Sequence, residues 1–579
     1  MKRMYFLPVL IAKIFFITAL VAECQHIPFS GNTTLTWQQC IAAYDRLDDE
    51  SEIAKLSEVG ITDGGKPLHL FVINKDKVFY PELFDRNKAI LMINNGIHPG
   101  EPDGVDASVM LCNELLGKDS PLSGLLDSVI ICIIPMYNVD GALNRGSMSR
   151  ANQEGPAEYG FRGNAKNLDL NRDFIKCDSR NAQSFNQLFT RIRPNVLIDT
   201  HVSNGADYPY TMTLVSTQAD KLGGSLGSFL RNEMEPALFA AMEARDDKMC
   251  HYVNTMGRTP ESGIADFMES PRFATGYAAL FNTISFFSET HMLKSFDKRV
   301  ESTFNFLQCV IVYCNDHCTQ LVQRKKKADQ EMMARKRFAI TYELDTTMIG
   351  RYEFSGYEAK YRPASVGSGE RLYYDKESPW QREINFYRSY RSTQDIDVPD
   401  EYVISQAWSD VIERMKWNGV LMTQLKTDSV LNVGVRYIED YHTTAQPYEG
   451  HYLHSDLKVR TEQQAIAFYA GDYVISTSQP SKRYILETLE PQAEDSFFAW
   501  NFFDSMLQQK EWFSDYVFEE KAEEILKNDK LLKQEFDNAI KTNVELRENH
   551  WEQLYWIYKR SPYYEVTANR YPVFTMKKP

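Results

Sequence analysis

Short apolar runs alternate with amphipathic stretches between residues 36 and 320. The apolar runs are rich in β-branched or aromatic side chains, which is typical of buried strands: Leu68–Asn74, Ala89–Ile93, Val129–Ile134, Val196–Ile198 and Thr283–Phe287. Apolar positions at helical spacing follow the second run and recur over Asn181–Arg191 and Gly223–Ala244. This alternation predicts an α/β fold with a mixed, mostly parallel sheet covered by helices on both faces.

The pattern changes beyond Phe338, where Tyr and Phe become frequent. Polar and apolar positions alternate in two segments, and helical spacing returns in two others: Phe338–Leu344 and Asp472–Thr477, then 403–417 and 515–541. We therefore expect residues 339–579 to form an α+β accessory region with antiparallel β structure. The basic run that precedes it predicts a solvated helical linker over residues 323–338.

The N-terminus has the pattern of an export signal. Lys2 and Arg3 precede an apolar stretch that ends at Ala22, which predicts a signal peptide over residues 1–23 and a globular domain over 24–322. The signal peptide is either simply cleaved after Ala22 or replaced by a lipid attached at Cys24. Such a lipid anchor is the only membrane contact that we expect. The protein is then exported to the periplasm or cell surface, or secreted.

Net charge narrows the classes of partner. The formal charge of the 579-residue chain is −15. A nucleic-acid binder or a general binder of anionic membranes needs a basic face, so the charge argues against both. The composition is that of a soluble globular protein, with 43% hydrophobic and 25% charged residues.

Two candidate metal ligands follow the apolar strand Ala89–Ile93. His98 and Glu101 are separated by Pro-Gly, and a tight turn at a strand end can bring both side chains to one point. Another apolar strand, beginning near Pro194, ends in His201. Two imidazoles and one carboxylate are a set of protein ligands that a catalytic zinc ion uses. The sequence therefore predicts a metal site at the carboxyl ends of these strands.

Further polar residues could bind a carboxylate or accept a proton. The dipeptide Asn171-Arg172 offers an amide and a guanidinium that can grip a carboxylate. Glu289 ends a very apolar run, and such surroundings should raise the pKa of its carboxyl. A raised pKa suits a general base that acts on water.

These segments, in this order, resemble the zinc carboxypeptidase family, the metallopeptidases of the carboxypeptidase A/B type. The motifs that carry the resemblance span about residues 36–320: Gly64-Gly-Lys-Pro67, His98-Pro-Gly-Glu101, Asn138-Val-Asp-Gly141, Leu168-Asp-Leu-Asn-Arg-Asp-Phe174, His201 and Ser288-Glu289. The resemblance implies an eight-stranded mixed sheet and one catalytic Zn²⁺. We expect an exported, bacterial member of the family with a long C-terminal accessory region.

The resemblance also implies a role for each matching residue. Zinc would be bound by His98, Glu101 and His201. The catalytic groups would be Glu289, as the general base, and Arg162, which would help to stabilise the oxyanion. Asn171 and Arg172 would hold the terminal carboxylate of the substrate.

The chain departs from the family around the substrate side chain. The position at which the family usually has a mobile tyrosine corresponds to Arg258, with Tyr277 as a later candidate. Ala265 would lie at the base of the specificity pocket, where an acidic residue would select basic C-termini. Its small apolar side chain argues against that selectivity.

The resemblance predicts a zinc-dependent metallocarboxypeptidase that hydrolyses the C-terminal peptide bond of peptides, with water that the metal activates. Peptides derived from the cell wall are candidate substrates. One alternative is a zinc-dependent deacylase of N-acyl amino acids of the aspartoacylase type. Another is an inactive surface protein in which residues 339–579 bind peptide or glycan.

Overall fold

The computed structural model describes residues 31–117, 120 and 122–577. The predicted signal peptide and Cys24 lie outside these residues. Among the helices that are described, none combines the length and apolar character needed to cross a membrane.

The first half of the chain is built on one eight-stranded sheet, with strand order β1-β2-β4-β3-β5-β9-β6-β7. Its strands are β1 (Ala54–Ile61), β2 (Pro67–Ile73), β3 (Ala89–Asn94), β4 (Val129–Ile134), β5 (Val196–Ser203), β6 (Met212–Ser216), β7 (Cys250–His251) and β9 (Ile284–His291). The neighbours β4-β3-β5-β9 are parallel, whereas β1, β2 and β6 each join an antiparallel pair. The predicted mixed sheet is confirmed.

Helices cover both faces of this sheet. They are α1 (Trp37–Glu50), α2 (Asp103–Leu116), α3 (Val139–Leu143), α4 (Arg180–Ile192), α5 (Ala219–Leu222), α6 (Gly224–Phe229), α7 (Glu235–Glu243), α8 (Ala274–Ala279), α9 (Phe296–Asp316) and α10 (Cys318–Ala334). The predicted helix 223–244 is interrupted by a π-helical turn at Leu230–Met234, which joins α6 to α7. Central strands such as β3 and β4 are buried at every position, as a parallel sheet covered on both faces requires.

The second half forms three further sheets, one of which also includes the short strand β8 of the first half; their strand orders are β10-β13, β11-β12-β8 and β15-β18-β14-β19-β16-β17. Their strands are β8 (Ile264–Ala265), β10 (Arg337–Leu344), β11 (Ile349–Pro363), β12 (Glu370–Tyr387), β13 (Tyr390–Asp397), β14 (Glu401–Ile404), β15 (Thr423–Gln424), β16 (Ser429–Thr443), β17 (His454–Phe468), β18 (Tyr473–Ser476) and β19 (Val573–Met576). Apart from the contact of β8 with β12, all the pairings are antiparallel, so the predicted antiparallel character of this region is confirmed.

The helices of this half are α11 (Ser409–Trp417), α12 (Lys482–Leu489), α13 (Asp515–Asn528), α14 (Lys530–Thr542), α15 (Val544–Glu548) and α16 (His550–Tyr558). The predicted helix near 403–417 is shorter than expected because Glu401–Ile404 pairs in the sheet as β14. The predicted stretch 515–541 divides at Asp529, whose side chain caps the start of α14.

The two halves share packing contacts. β8, from the first half, pairs in parallel with Phe386 and Tyr387 of β12. One apolar cluster contains buried residues of both halves, such as Phe185 and Ile485. The domain boundaries at 24–322, 323–338 and 339–579 stay a prediction.

The predicted linker is a helix, but one face of it is buried. Within α10, Lys325 is almost fully buried, and its ammonium donates to the carbonyl of Phe281 and to the Thr283 hydroxyl, the latter at 2.9 Å. The expectation of a solvated basic face is therefore wrong at Lys325, because the helix lies against the first half of the chain.

Candidate active site

His98 and Glu101 lie in the turn between β3 and α2. The backbone N–H of Glu101 donates to the carbonyl of His98 at 2.8 Å, which closes the tight turn that the Pro-Gly pair predicts. Both side chains are buried, at 2% and 3% exposure. The turn therefore holds an imidazole and a carboxylate side by side below the surface.

His201 reaches the same point from β5, the strand next to β3. Its Nδ1 lies 3.2 Å from Oε2 of Glu101, and Nδ1 of His98 lies 3.4 Å from the same oxygen. One ligand atom from each of the three residues lies within 4.8 Å of the others. Among the described residues, this is the one group of three or more such side chains that could hold a metal ion.

A carboxylate lies on the far side of each imidazole. Nε2 of His98 hydrogen-bonds to Asp169 at 2.9 Å, whereas Nε2 of His201 lies 3.4 Å from Asp199 and makes no hydrogen bond among the described residues. This leaves both Nδ1 atoms facing Glu101, and Nδ1 of His98 is buried without a hydrogen-bond partner among the described residues. Zinc-binding histidines usually have their other nitrogen bonded to a carboxylate or carbonyl. The donor set and its supports therefore fit a zinc ion.

Glu289 lies on β9, directly opposite His201 in the parallel pairing of β5 and β9. Burial raises the pKa of its carboxyl to about 7, with His201 lowering the pKa and Glu101 raising it. This agrees with the raised pKa that the apolar run before it predicts. A carboxyl of this kind can take up and release a proton near neutral pH.

Two arginines approach Glu101. Arg150 donates through Nη1 to Oε1 at 2.7 Å, and Arg162 lies 3.4 Å from the same oxygen. Arg162 also donates through Nε to Asp169 at 2.9 Å. Burial alone would raise the pKa of Glu101, but the charges of His98 and Arg150 outweigh burial and hold it well below its usual range. The carboxylate is therefore kept ionised, the form that binds a metal.

Asn171 and Arg172 lie on a 3₁₀ turn, Leu170–Arg172, and both line the same cleft as the metal-ligand candidates. The Asn171 side-chain oxygen accepts from the N–H of Ala274 at 3.2 Å. The guanidinium carbon of Arg172 lies 4.3 Å from the centre of the Phe273 ring. A cation held on an aromatic face beside the candidate metal site can receive a carboxylate.

The model of the zinc carboxypeptidase family matches residues 41–213. The matched segment contains His98, Glu101 and His201, the three candidate ligands that the fold brings together. This segment is therefore similar to the zinc carboxypeptidase family. The match ends before Glu289, which the sheet adds to the site through the pairing of β9 with β5.

Similar proteins carry carboxypeptidase names. Carboxypeptidase 2 of Trichophyton equinum is 20% identical over 440 residues, which cover 71% of this chain and 73% of the relative. Carboxypeptidase 2 of Trichophyton tonsurans is 19% identical over 443 residues, with the same coverage of 71% and 73%. These relatives are fungal, and the bacterial origin expected above stays a prediction.

Solved structures similar to this chain include a metallo-carboxypeptidase from Burkholderia cenocepacia, at 17% identity and a TM-score of 0.37, covering 49% of this chain and 70% of that one. Carboxypeptidase A from Helicoverpa armigera has 13% identity and a TM-score of 0.37, and covers 55% of this chain and 81% of that one.

Three residues predicted around the substrate side chain do not line the cleft. The guanidinium of Arg258 lies over the ring of Tyr361, at 4.9 Å. Ala265 is buried in β8. Tyr277 is fully buried, and its hydroxyl donates to Asn418 at 2.7 Å. Ala265 lies away from the cleft because β8 pairs with β12, and Tyr277 because it packs in the shared apolar core, whereas Arg258 is exposed.

Other residues take part that sequence reasoning missed. Tyr252 and Glu269 line the cleft, and Asp169 and Arg150 brace the candidate ligands. Burial raises the pKa of Glu269 to about 7, although the hydroxyl of Thr275 donates to it and lowers the pKa. Asp169 had a usable signal, since it stands two residues before Asn171 in the quoted motif. Arg150 lies in irregular chain, where no periodic pattern marks it.

Two histidines of the second half, His451 and His454, have different polar partners. His451 contacts Asp178 and Asn501, whereas His454 contacts Thr443 and Asp504. The two imidazoles therefore make separate polar contacts, and the contact of His451 with Asp178 joins the two halves of the chain.

Proposed function

We propose that the protein is a zinc-dependent carboxypeptidase that hydrolyses the C-terminal peptide bond of peptides. The observation that carries the proposal is the convergence of His98, Glu101 and His201 within 4.8 Å, with Glu289 opposite His201 on the neighbouring strand. The match of residues 41–213 to the zinc carboxypeptidase family model supports the same reaction class. So do the names of the fungal relatives.

The three candidate ligands each have a defined part. His98 and His201 would bind the ion through Nδ1, because their Nε2 atoms face Asp169 and Asp199. Glu101 would supply the third ligand as an ionised carboxylate. Zinc, when bound, polarises a carbonyl and makes water more acidic, which is the chemistry that peptide hydrolysis needs.

Glu289 would act as the general base. Its carboxylate takes a proton from the attacking water and then donates it to the nitrogen of the leaving amino acid. One side chain therefore both accepts and returns the proton that hydrolysis moves. A pKa of about 7 lets the same group do both near neutral pH. Positioned general bases of this kind contribute about 10²–10⁴-fold to rate.

Cations around the cleft would recognise the substrate. Arg172 and Asn171 would hold the terminal carboxylate by charge-assisted hydrogen bonds. The side chain of Arg162 remains 44% exposed although it contacts Asp169 and Glu101. It would donate to the oxygen that becomes negative as the carbonyl is attacked.

The place of action is also part of the proposal. The basic and apolar pattern of residues 1–23 supports export, either by simple cleavage or with lipid attachment at Cys24. Extracellular peptides are then the substrates, with cell-wall peptides as one class to be assayed.

A peptide-release experiment tests the proposal. A mixed library of peptides with free C-termini, a matched library with C-terminal amides, and a set of small N-acyl amino acids are incubated with the protein. We expect release of single residues from the free C-termini only, lost with a zinc chelator and restored by added zinc. Hydrolysis confined to the N-acyl amino acids would instead identify the deacylase, and metal-independent release would remove the zinc assignment.

A further inference from the structure

A tight turn of the second half reaches the carboxylate-binding side of the cleft. The turn spans Tyr448 to His451. The N–H of Tyr448 donates to the carbonyl of His451 at 2.7 Å, and the N–H of His451 donates to the carbonyl of Tyr448 at 3.0 Å. Its central residues, Glu449 and Gly450, have φ values of 50° and 86°, the left-handed region. Such a two-residue turn has little freedom, so the side chains of Tyr448 and Glu449 are presented at fixed positions.

Contacts on both sides hold this turn in place. Nε2 of His451 lies 2.6 Å from Asp178 of the first half, and Nδ1 lies 2.6 Å from Asn501 of the second. The ring of Tyr448 stacks on Trp500 at 6.2 Å between centres. The guanidinium of Arg272 lies over both rings, at 5.7 and 5.0 Å. The turn is therefore clamped between the two halves.

Tyr448 contacts Arg172 directly. The hydroxyl oxygen of Tyr448 accepts a hydrogen bond from Nε of Arg172 at 3.0 Å, and Nη1 donates to the carbonyl of Asn171 at 2.8 Å. Phe273 supports the guanidinium at 4.3 Å. In the described part of the chain no hydrogen bond uses Nη2 of Arg172. These contacts fix the plane of the guanidinium and leave Nη2 available to a carboxylate.

Glu449 supports the neighbouring part of the site. The backbone N–H of Asp169 donates to Oε2 of Glu449 at 2.8 Å, and the side chain of Asp169 contacts His98 and Arg162. The turn thus touches the segment Asp169–Arg172 at both of its ends. Residues 170–172 lie on a single 3₁₀ turn, so displacement of one end would carry over to the other.

We propose that Tyr448 is a positioning residue for Arg172, so that recognition of the substrate carboxylate depends on the accessory region. This inference rests on the proposed function, because it assigns the C-terminal carboxylate to Arg172. An arginine that is already oriented loses less side-chain freedom on binding than one that is free to rotate. The second half of the chain therefore contributes to substrate affinity without lining the cleft.

The test compares Tyr448→Phe with the wild-type chain. The variant keeps the ring that stacks on Trp500 and removes only the hydroxyl that holds Arg172. Tyr452→Phe is the matched control, since this nearby tyrosine is 47% exposed. With a free-carboxylate peptide we expect KM to rise about tenfold in Tyr448→Phe while kcat stays within about twofold, the size expected from one hydrogen bond to a charged group. The control should match the wild type in both constants.

A second readout separates positioning from folding. Inhibition by a dipeptide acid is compared with inhibition by the same dipeptide amide, in the wild type and both variants. We expect the preference for the acid to shrink about tenfold in Tyr448→Phe alone, with the thermal unfolding midpoint close to that of Tyr452→Phe. An unchanged preference and KM would overturn the inference, as would a fall in kcat that follows lost stability. If the wild type releases C-terminal residues but the variant shows neither change, only this inference fails. If the wild type releases no C-terminal residues, the proposed function fails as well.

Discussion

The two halves of the chain take part in the site in different ways. Every described residue that lines the cleft lies in the range from His98 to Glu289, in the half built on the mixed sheet. The second half, built on antiparallel sheets, reaches the same place through Tyr448 and Glu449, which contact Arg172 and Asp169 from behind. The difference shows that the pairing of neighbouring strands can place two candidate reacting groups, His201 and Glu289, beside each other. The orientation of the Arg172 side chain, in contrast, depends on a segment that is distant in sequence.

The largest effect should come from the proposed base, which belongs to the first half. Glu289→Gln keeps the shape of the side chain but cannot take a proton, so kcat should fall about 10²-fold or more. The zinc content should stay at one ion per chain, measured by metal analysis beside the activity assay. Glu243→Gln is the control, because its side chain is 64% exposed. Full activity of the Glu289 variant would remove that residue from its role.

The next effect concerns the support of the metal ligands. Asp169→Asn should lower zinc affinity about 10- to 100-fold, because the carboxylate that orients His98 loses its charge. Competition with a coloured chelator measures this affinity. Asp127→Asn changes an exposed acid of the same half, 63% exposed, and should bind zinc like the wild type. Equal affinity in both variants would mean that Asp169 does not orient His98.

The contact between the halves should appear as a pH-dependent stability. Burial lowers the pKa of His451, and Lys176 lowers it too, but the hydrogen bond and charge of Asp178 outweigh both, so the pKa is raised. A raised pKa means that the stabilisation is complete below the unfolded value of about 6.5 and is lost as pH rises through the folded value. We expect His451→Gln to lower the free energy of unfolding by about 1 kcal/mol at low pH and by less at high pH.

Thermal unfolding of the wild type and His451→Gln across pH 5–9 measures this difference. His550→Gln is the control, since this histidine is 64% exposed in its pair with Glu519. A difference between wild type and His451→Gln that grew with pH would contradict the assigned charge state.

The smallest effect concerns selectivity, which the cleft should set within the first half. Glu269 is an acidic residue lining the cleft, and its described hydrogen bond is with the Thr275 hydroxyl. We expect Glu269→Gln to lower the ratio of kcat/KM for lysine over alanine C-termini by about threefold. Glu261→Gln is the control, because Glu261 does not line the cleft, and it should leave the lysine-to-alanine ratio of kcat/KM unchanged. If both variants keep the wild-type ratio, Glu269 does not set the preference for the C-terminal side chain of the substrate.

Local patterns were sufficient for most of the first half. The strand at Val129–Ile134 has the predicted bounds, because a run buried on both faces must be apolar throughout. The Pro-Gly pair between His98 and Glu101 forms the predicted turn. The segment before Glu289 escaped prediction, since its short strand β8 pairs with residues about 120 positions later in the chain.

The sequence by itself determined the candidate reacting groups: His98, Glu101, His201 and Glu289 each stand beside or at the end of an apolar strand, where a short-range pattern marks them. Only the tertiary structure decided what holds Arg172, the proposed carboxylate-binding arginine, because Tyr448 lies 276 residues from it and carries no local signal. Periodicity reports which side of an element is buried, but not which distant loop meets it. The contact exists because the shared core packs the two halves together and brings the turn at Tyr448 to the edge of the sheet.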